Sequence, residues 1–297
     1  MPTRRDFLQQ AGLGSAAVLL GPSRHLASTS RIGLQLYTLR REIEKDPEGT
    51  IARVAKTGYN SVEVFDYDKG MFFKMTPSQF SELLQKYKLK SPSGHYMMLE
   101  FLTKGDMGVL KDNIAAAATM GHKFIVIPFL LDTMRTSLDD YKRLAEKFNI
   151  AATEAKKSGL RLAYHNHNFE FKDWGGGQTG FDIFLKETDP ALVFFELDMY
   201  WVSRAGLSPI QLINDHPGRF KMWHIKDMSK KLAPTYDVVG DQYFAEVGSG
   251  VIDYKEIFKY KKKSGMEYFF VEQDETSRPV FDAIANSYQY VKANLAK

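Results

Sequence analysis

The chain has 297 residues, 44% hydrophobic and 26% charged, with a net charge of +4 and no cysteine. A folded chain with a sizeable core is implied; disulfides, thiolate metal ligands and cysteine catalysis are excluded. Residues 1–30 hold Arg4, Arg5 and Arg24 against Asp6, and the +2 left for the remainder is weak for a nucleic-acid binder unless gathered on one face.

The first element reads as an export signal. Thr3-Arg-Arg-Asp-Phe-Leu8 precedes a small-residue apolar run over 11–20, which is too short to span a bilayer. The paired arginines with Phe7 and Leu8 resemble the twin-arginine motif, so residues 1–30 read as a signal segment and the protein as periplasmic. No later apolar run is long enough to cross a membrane. Residues 31–297 show no linker and read as one domain.

Eight short apolar runs then alternate with helix-like segments. Strands are expected over 32–37, 61–65, 93–97, 123–128, 160–167, 192–198, 220–225 and 268–272. Asp46-Pro47, Thr76-Pro77 and Ser208-Pro209 have the residue types that open helices, and Gly58, Gly159 and Gly265 those that close them. Other helices are expected over 106–120, 138–158, 181–187, 253–264 and 279–295, with the lysines of 259–263 on a solvated face. Gly175-Gly-Gly177 reads as a turn, because no helix follows it directly. Eight strand–helix units predict a (β/α)₈ TIM barrel, and no Gly-x-Gly-x-x-Gly follows any strand to favour an open doubly wound sheet.

In such barrels the chemistry sits at the C-terminal strand ends. Those ends offer Glu63, His95, His165, His167, Glu196, Asp198, His224, Lys226, Asp227, Glu272 and Asp274. The richest stretch is Leu162-Ala-Tyr-His-Asn-His-Asn-Phe-Glu-Phe171, where His165 and His167 share a strand face. Taking one ligand per strand gives His165, Asp198, His224 and Glu272. Two imidazoles with two carboxylates suit Mn²⁺, Zn²⁺, Co²⁺ or Fe²⁺ better than Ca²⁺ or Mg²⁺.

These residues resemble the xylose-isomerase-like TIM-barrel superfamily, which includes ketose 3-epimerases, inosose dehydratases, 3-dehydroshikimate dehydratases and endonuclease IV. The resemblance runs from Ile32 to the C-terminus. Its members hold one metal with Glu, Asp, His and Glu from strands five to eight. Asp198 in Glu-Leu-Asp-Met-Tyr-Trp, His224 in Trp-His-Ile-Lys-Asp and Glu272 in Phe-Val-Glu-Gln-Asp match the last three, and Glu246-Val-Gly-Ser-Gly-Val-Ile-Asp253 is similar to the loop between strands seven and eight. His165 stands where epimerases carry Glu, which leaves a symmetric Glu/Glu proton exchange open to question.

The resemblance implies a metal-dependent sugar isomerase or epimerase that abstracts a proton beside a carbonyl through an enediolate. Glu272 or His167 would be the base and Lys226 would hydrogen-bond the oxyanion. Glu63 and His95 would contact sugar hydroxyls, and Tyr200 and Trp201 would form an aromatic wall. The alternative is a lyase or hydratase acting on a 3-keto sugar or glycoside. An endonuclease IV-like activity fits less well, since Trp201 occupies the His position of its strand-six Asp-x-x-His, and a non-catalytic sugar binder would not need four competent ligands. The expected partner is a carbohydrate, neither nucleic acid nor membrane; self-association is left open.

Overall fold

The computed structural model describes residues 32–238 and 243–296; the twin-arginine-type segment, residues 1–30, lies outside the described residues. Eight parallel strands close into a barrel in chain order: β1 (Gly33–Gln35), β2 (Ser61–Val64), β3 (Lys90–His95), β4 (Phe124–Ile127), β5 (Arg161–His165), β6 (Val193–Asp198), β7 (Phe220–Ile225) and β8 (Tyr268–Val271), which returns to β1. The (β/α)₈ expectation is therefore met. No helix among the described residues is long and apolar enough to cross a membrane.

Local chemistry places the helices. The Asp46 carboxylate accepts the Gly49 N–H with Pro47 in the first turn, and Gly58 ends that helix at φ 116°. Thr76 and Gln79 cap each other's backbone N–H groups at the start of Pro77–Lys86, and Ser208 accepts from Gln211 before Pro209–Asp215.

Several boundaries differ from the sequence reading by a single residue, and four differ by more. The chain turns into a 3₁₀ helix at Leu36, because the Gln35 side chain caps the Tyr37 N–H. Strand β3 begins at Lys90 and ends at His95 rather than spanning 93–97. Strand β5 stops at His165, where the Asn166 side chain takes over the pairing with β6: its Oδ1 accepts the Asp198 N–H at 3.0 Å. The expected helix over 253–264 is three short pieces, Tyr254–Ile257, a 3₁₀ turn Phe258–Tyr260, and Lys261–Ser264. The Gly175-Gly-Gly177 turn holds as a turn: all three have positive φ, and the Asp173 carboxylate accepts the N–H groups of Gly175 and Gly177.

The barrel interior is layered by the two-residue period of its strands. Phe124, Val126, Ala163, Met222 and Phe270 form an apolar plug. Two residues further along their strands come His165, Glu196 and His224, joined by Glu63 and His95, all buried. One more step reaches Asp198, Lys226 and Glu272 at the mouth. The sequence thus changes from apolar to ionisable within strands β5–β7 and immediately after β8.

Candidate metal centre and cavity

Register brings the two ionisable layers together. On adjacent strands His165 lies opposite Glu196, and Asp198 lies opposite His224. In the upper layer the Lys226 ammonium sits 3.2 Å from Asp198 Oδ2, 2.8 Å from Glu272 Oε2 and 2.9 Å from Asp274 Oδ1. His224 Nδ1 is 2.6 Å from Glu272 Oε2, and His165 Nε2 is 3.7 Å from Asp198 Oδ2. In the deeper layer Glu196 Oε2 receives His95 Nε2 at 2.8 Å, His165 Nδ1 at 3.2 Å and His224 Nε2 at 3.2 Å. Glu63 Oε2 meets the same His224 Nε2 at 2.6 Å and His95 Nε2 at 3.1 Å.

Two overlapping groups have donor atoms close enough to share a cation: Asp198, His224 and Glu272 above, and His95, His165, Glu196 and His224 below. The upper group fits a divalent metal. Asp198 Oδ2 is buried and makes no well-aligned hydrogen bond, although the Lys226 ammonium lies 3.2 Å away, so it keeps a lone pair free for a cation. The mixed nitrogen and oxygen donor set is that of a transition metal.

Charge and burial compete at every group. Burial pushes the Glu196 carboxyl up, but His224 and then His95 outweigh it and hold it at about 2. Burial pushes His95 down, and Glu63 and Glu196 raise it to about 9. Burial likewise opposes the charge on Lys226, but Asp198, Asp274 and Glu272 keep the ammonium protonated far above the ordinary range. Burial first, and then the charge of His224, drives His165 well down, so this imidazole is neutral. His167 is neutral for the same first reason, burial, with Lys226 second.

The remaining polar residues of the strand-five stretch hold the site together. Glu170 accepts the Tyr164 hydroxyl at 2.5 Å and the His167 N–H at 2.9 Å, which fixes the backbone of the second histidine. The His167 ring stacks on Phe169 and lies against Phe129 and Trp201, with Nδ1 buried and unpartnered. Asn168 is wholly buried and donates to the carbonyls of Thr235 at 2.9 Å and Asp237 at 2.8 Å, across to the loop after β7. Asp227 is a loop anchor: its carboxylate accepts the N–H groups of Gly248, Gly250 and Ile252. A Cβ on Gly250 would meet Asp227 Oδ1 at 2.2 Å, so this approach requires glycine.

Above the ionisable layers opens a cavity of about 690 Å³. His95, His165, His167, Trp201, Lys226 and Glu272 line it. Glu63 does not; it lies wholly buried beneath His95 and His224, out of reach of a sugar hydroxyl. Tyr200 is turned away, stacked on Phe244 at 4.4 Å. The wall is instead built by Tyr37, Phe65, Met97, Phe129 and Val238, which the strand ends alone did not single out. Of these, Tyr37 and Phe65 pack edge to face at 5.3 Å, a pairing readable only once β1 and β2 are neighbours. Another cavity, about 580 Å³, is lined near the N-terminal strand ends by Lys90, Ser91, Lys123 and Tyr268, with no carboxylate or imidazole in its lining.

The chain matches the family model described as xylose isomerase-like TIM barrel over residues 51–293. An inosose dehydratase of Geobacillus thermodenitrificans is 28% identical over 163 residues, 51% of each chain. One from Bacillus cereus is 24% identical over 198 residues, 62% of each. The chain thus spans between half and two thirds of the length of these curated relatives. A sugar phosphate isomerase/epimerase from Parabacteroides distasonis superposes with a TM-score of 0.77 at 27% identity, over 90% of this chain and 99% of that one. The IOLI protein, solved with a binding zinc atom, shares the fold at TM-score 0.70 and 16% identity over 90% and 98%. With 51–293 inside that model and the same closed barrel beneath the site, the chain belongs to the xylose isomerase-like TIM barrel family.

Proposed function

We propose that the protein is a divalent-metal-dependent sugar isomerase or epimerase acting on an uncharged carbohydrate. The observation that carries this reading is the convergence of Asp198, His224, Glu272 and His165 at the base of the barrel mouth, where His165 and Glu272 line the 690 Å³ cavity. A bound Mn²⁺, Zn²⁺, Co²⁺ or Fe²⁺ ion would supply positive charge beside the substrate carbonyl oxygen. Glu272 is the proposed base: it is ionised, because Lys226 and His224 outweigh the burial that would protonate it, and it lines the cavity. It takes the proton from the carbon next to the carbonyl. The C–H electron pair becomes the carbon–carbon double bond of an enediolate, and Lys226 hydrogen-bonds the oxyanion. His167, neutral and with Nδ1 unpartnered, handles the proton on the other side. Return of the proton to the opposite face gives an epimer, and to the neighbouring carbon an isomer.

The preference for an uncharged substrate rests on the cations lining the cavity. Arg40 and Arg41 both face Glu275, and Lys226 faces three carboxylates, so a phosphate would find each of the three engaged. The aromatic wall suits the apolar face of a sugar ring.

A lyase is the second reading, favoured by the dehydratase relatives and by His165 at the strand-five position. It shares the first step; the electron pair then expels an oxygen substituent on the next carbon, which leaves with a proton. One experiment serves both. Unphosphorylated sugars, keto-inositols and 3-keto glycosides, deuterated beside the carbonyl, are offered to the metal-loaded protein. Label should wash out into solvent, and Glu272→Gln should lower turnover about 10² to 10⁴-fold at checked metal occupancy. An active Glu272→Gln protein without label exchange sinks both readings. An intact epimer or ketose supports the first, an unsaturated or cleaved sugar the second.

A further inference from the structure

Two carboxylates are buried below the site and are not part of the lining of the 690 Å³ cavity. Glu63 and Glu196 are both wholly inaccessible. Burying two like charges in one layer is costly, and apolar side chains of similar volume would fill the space more favourably. What they contact explains them. His224 turns Nδ1 to Glu272 at the mouth and Nε2 down to Glu63, each at 2.6 Å. His165 is mounted the other way round, with Nε2 toward Asp198 and Nδ1 down to Glu196 at 3.2 Å. A neutral imidazole has one N–H and one lone pair, and a metal needs the lone pair. An ionised carboxylate only accepts hydrogen bonds, so it holds an N–H on the nitrogen facing it. Without metal His224 has a carboxylate at each nitrogen, and only once Glu272 is drawn to a metal would Nδ1 give up its proton while Glu63 keeps the one on Nε2. Glu63 is itself immobilised: Gln35 Nε2 donates to its Oε2 at 2.7 Å and the Ser93 hydroxyl to its Oε1 at 2.5 Å.

We propose that Glu63 and Glu196 are positioning residues that fix, from beneath, which nitrogen of His224 and of His165 is presented to the metal. This rests on the metal site proposed above. The two histidines are required in opposite tautomers, Nε2–H for His224 and Nδ1–H for His165, and one carboxylate stands under each. His95 Nε2 lies between the two carboxylates, 3.1 Å from Glu63 and 2.8 Å from Glu196, and separates their charges.

Glu63→Gln and Glu196→Gln test this, because an amide keeps the volume but donates as readily as it accepts. Zn²⁺ affinity is measured by chelator competition, and the ring protons of the loaded wild-type protein are located by long-range ¹H–¹⁵N spectra. Each variant should bind Zn²⁺ about 10 to 100-fold more weakly, the usual effect of losing such a partner. The wild-type spectra should show the proton on Nε2 of His224 and Nδ1 of His165. Unchanged affinity in both variants, or the reverse proton positions, overturns the inference. So does binding of two ions by the wild type with loss of one in the variants, since the deep layer would then itself be a metal site. Should a variant fail to fold, the wild-type spectra decide. A wild-type protein that binds no divalent ion refutes the metal reading itself, whereas one that binds a single ion as tightly as both variants refutes only the positioning role.

Discussion

Lys226 occupies the space between Asp198, Glu272 and Asp274, so in the metal-free protein its ammonium is the counter-charge of the upper layer. Its two duties oppose each other: it balances the carboxylates when no metal is bound, and it competes for them when one arrives. Lys226→Met should therefore lower the stability of chelator-treated protein by about 3–5 kcal/mol, the cost of leaving buried charges unpaired. The same variant should bind divalent metal more tightly than wild type and regain stability with it, while losing turnover. Thermal unfolding with and without metal measures both effects, and weaker metal binding in the variant would contradict the account. The sequence does single out residues that the fold brings close, since Asp198, His224 and Glu272 cluster and His165 Nε2 lies 3.7 Å from Asp198 Oδ2. Depth was not legible there. Period-two spacing puts Glu63 on the inner face, but only the closed barrel shows it lying under the histidines rather than beside the substrate.

Among elements, the junction of β3 and β4 carries a buried histidine outside the site. His122 has Ser91 Oγ 3.0 Å from Nε2 and the Tyr96 hydroxyl 3.2 Å from Nδ1, and burial pushes its pKa down to about 3. The unfolded chain binds the proton near 6.5 and the folded one only near 3, so this group's stabilisation is present above pH 6.5 and is lost as pH falls toward 3. Replacing it by Asn should flatten the acid side of the stability curve by about 1.4 kcal/mol per pH unit within that window. Denaturant unfolding at several pH values decides; a wild-type minus His122→Asn difference that does not vary between pH 4 and 6.5 removes His122 from the acid response. The elements themselves follow their signals where caps are strong, as at Asp46, Thr76 and Ser208. They depart where side chains replace backbone pairing, as Asn166 does at the end of β5, which no periodicity reveals.

For the whole molecule, layering accounts for how the sequence reads as a barrel: apolar residues at the plug, ionisable ones a step or two further, on four consecutive strands. Compartment is a separate question carried by residues 1–30. We propose export by the twin-arginine route on the strength of Arg4-Arg5 before an apolar run. Arg4→Lys/Arg5→Lys should leave full-length precursor in the cytoplasm, seen by cell fractionation; normal export of that double variant would end the proposal.

The Asn168 amide has a consequence for mobility. It lies one residue from His167 and holds the carbonyls of Thr235 and Asp237, while Arg204 holds that of Ala233 at 3.1 Å. Val238, next along, is part of the cavity wall. Swinging this segment outward would break two bonds to a side chain next in the chain to the proposed proton carrier, so the looseness of this part of the mouth would be set by Asn168. Asn168→Ala tests this: amide hydrogen exchange over 232–238 should speed up by an order of magnitude or more while that of β5 stays slow, and equal exchange in both proteins would show that the segment moves independently of Asn168.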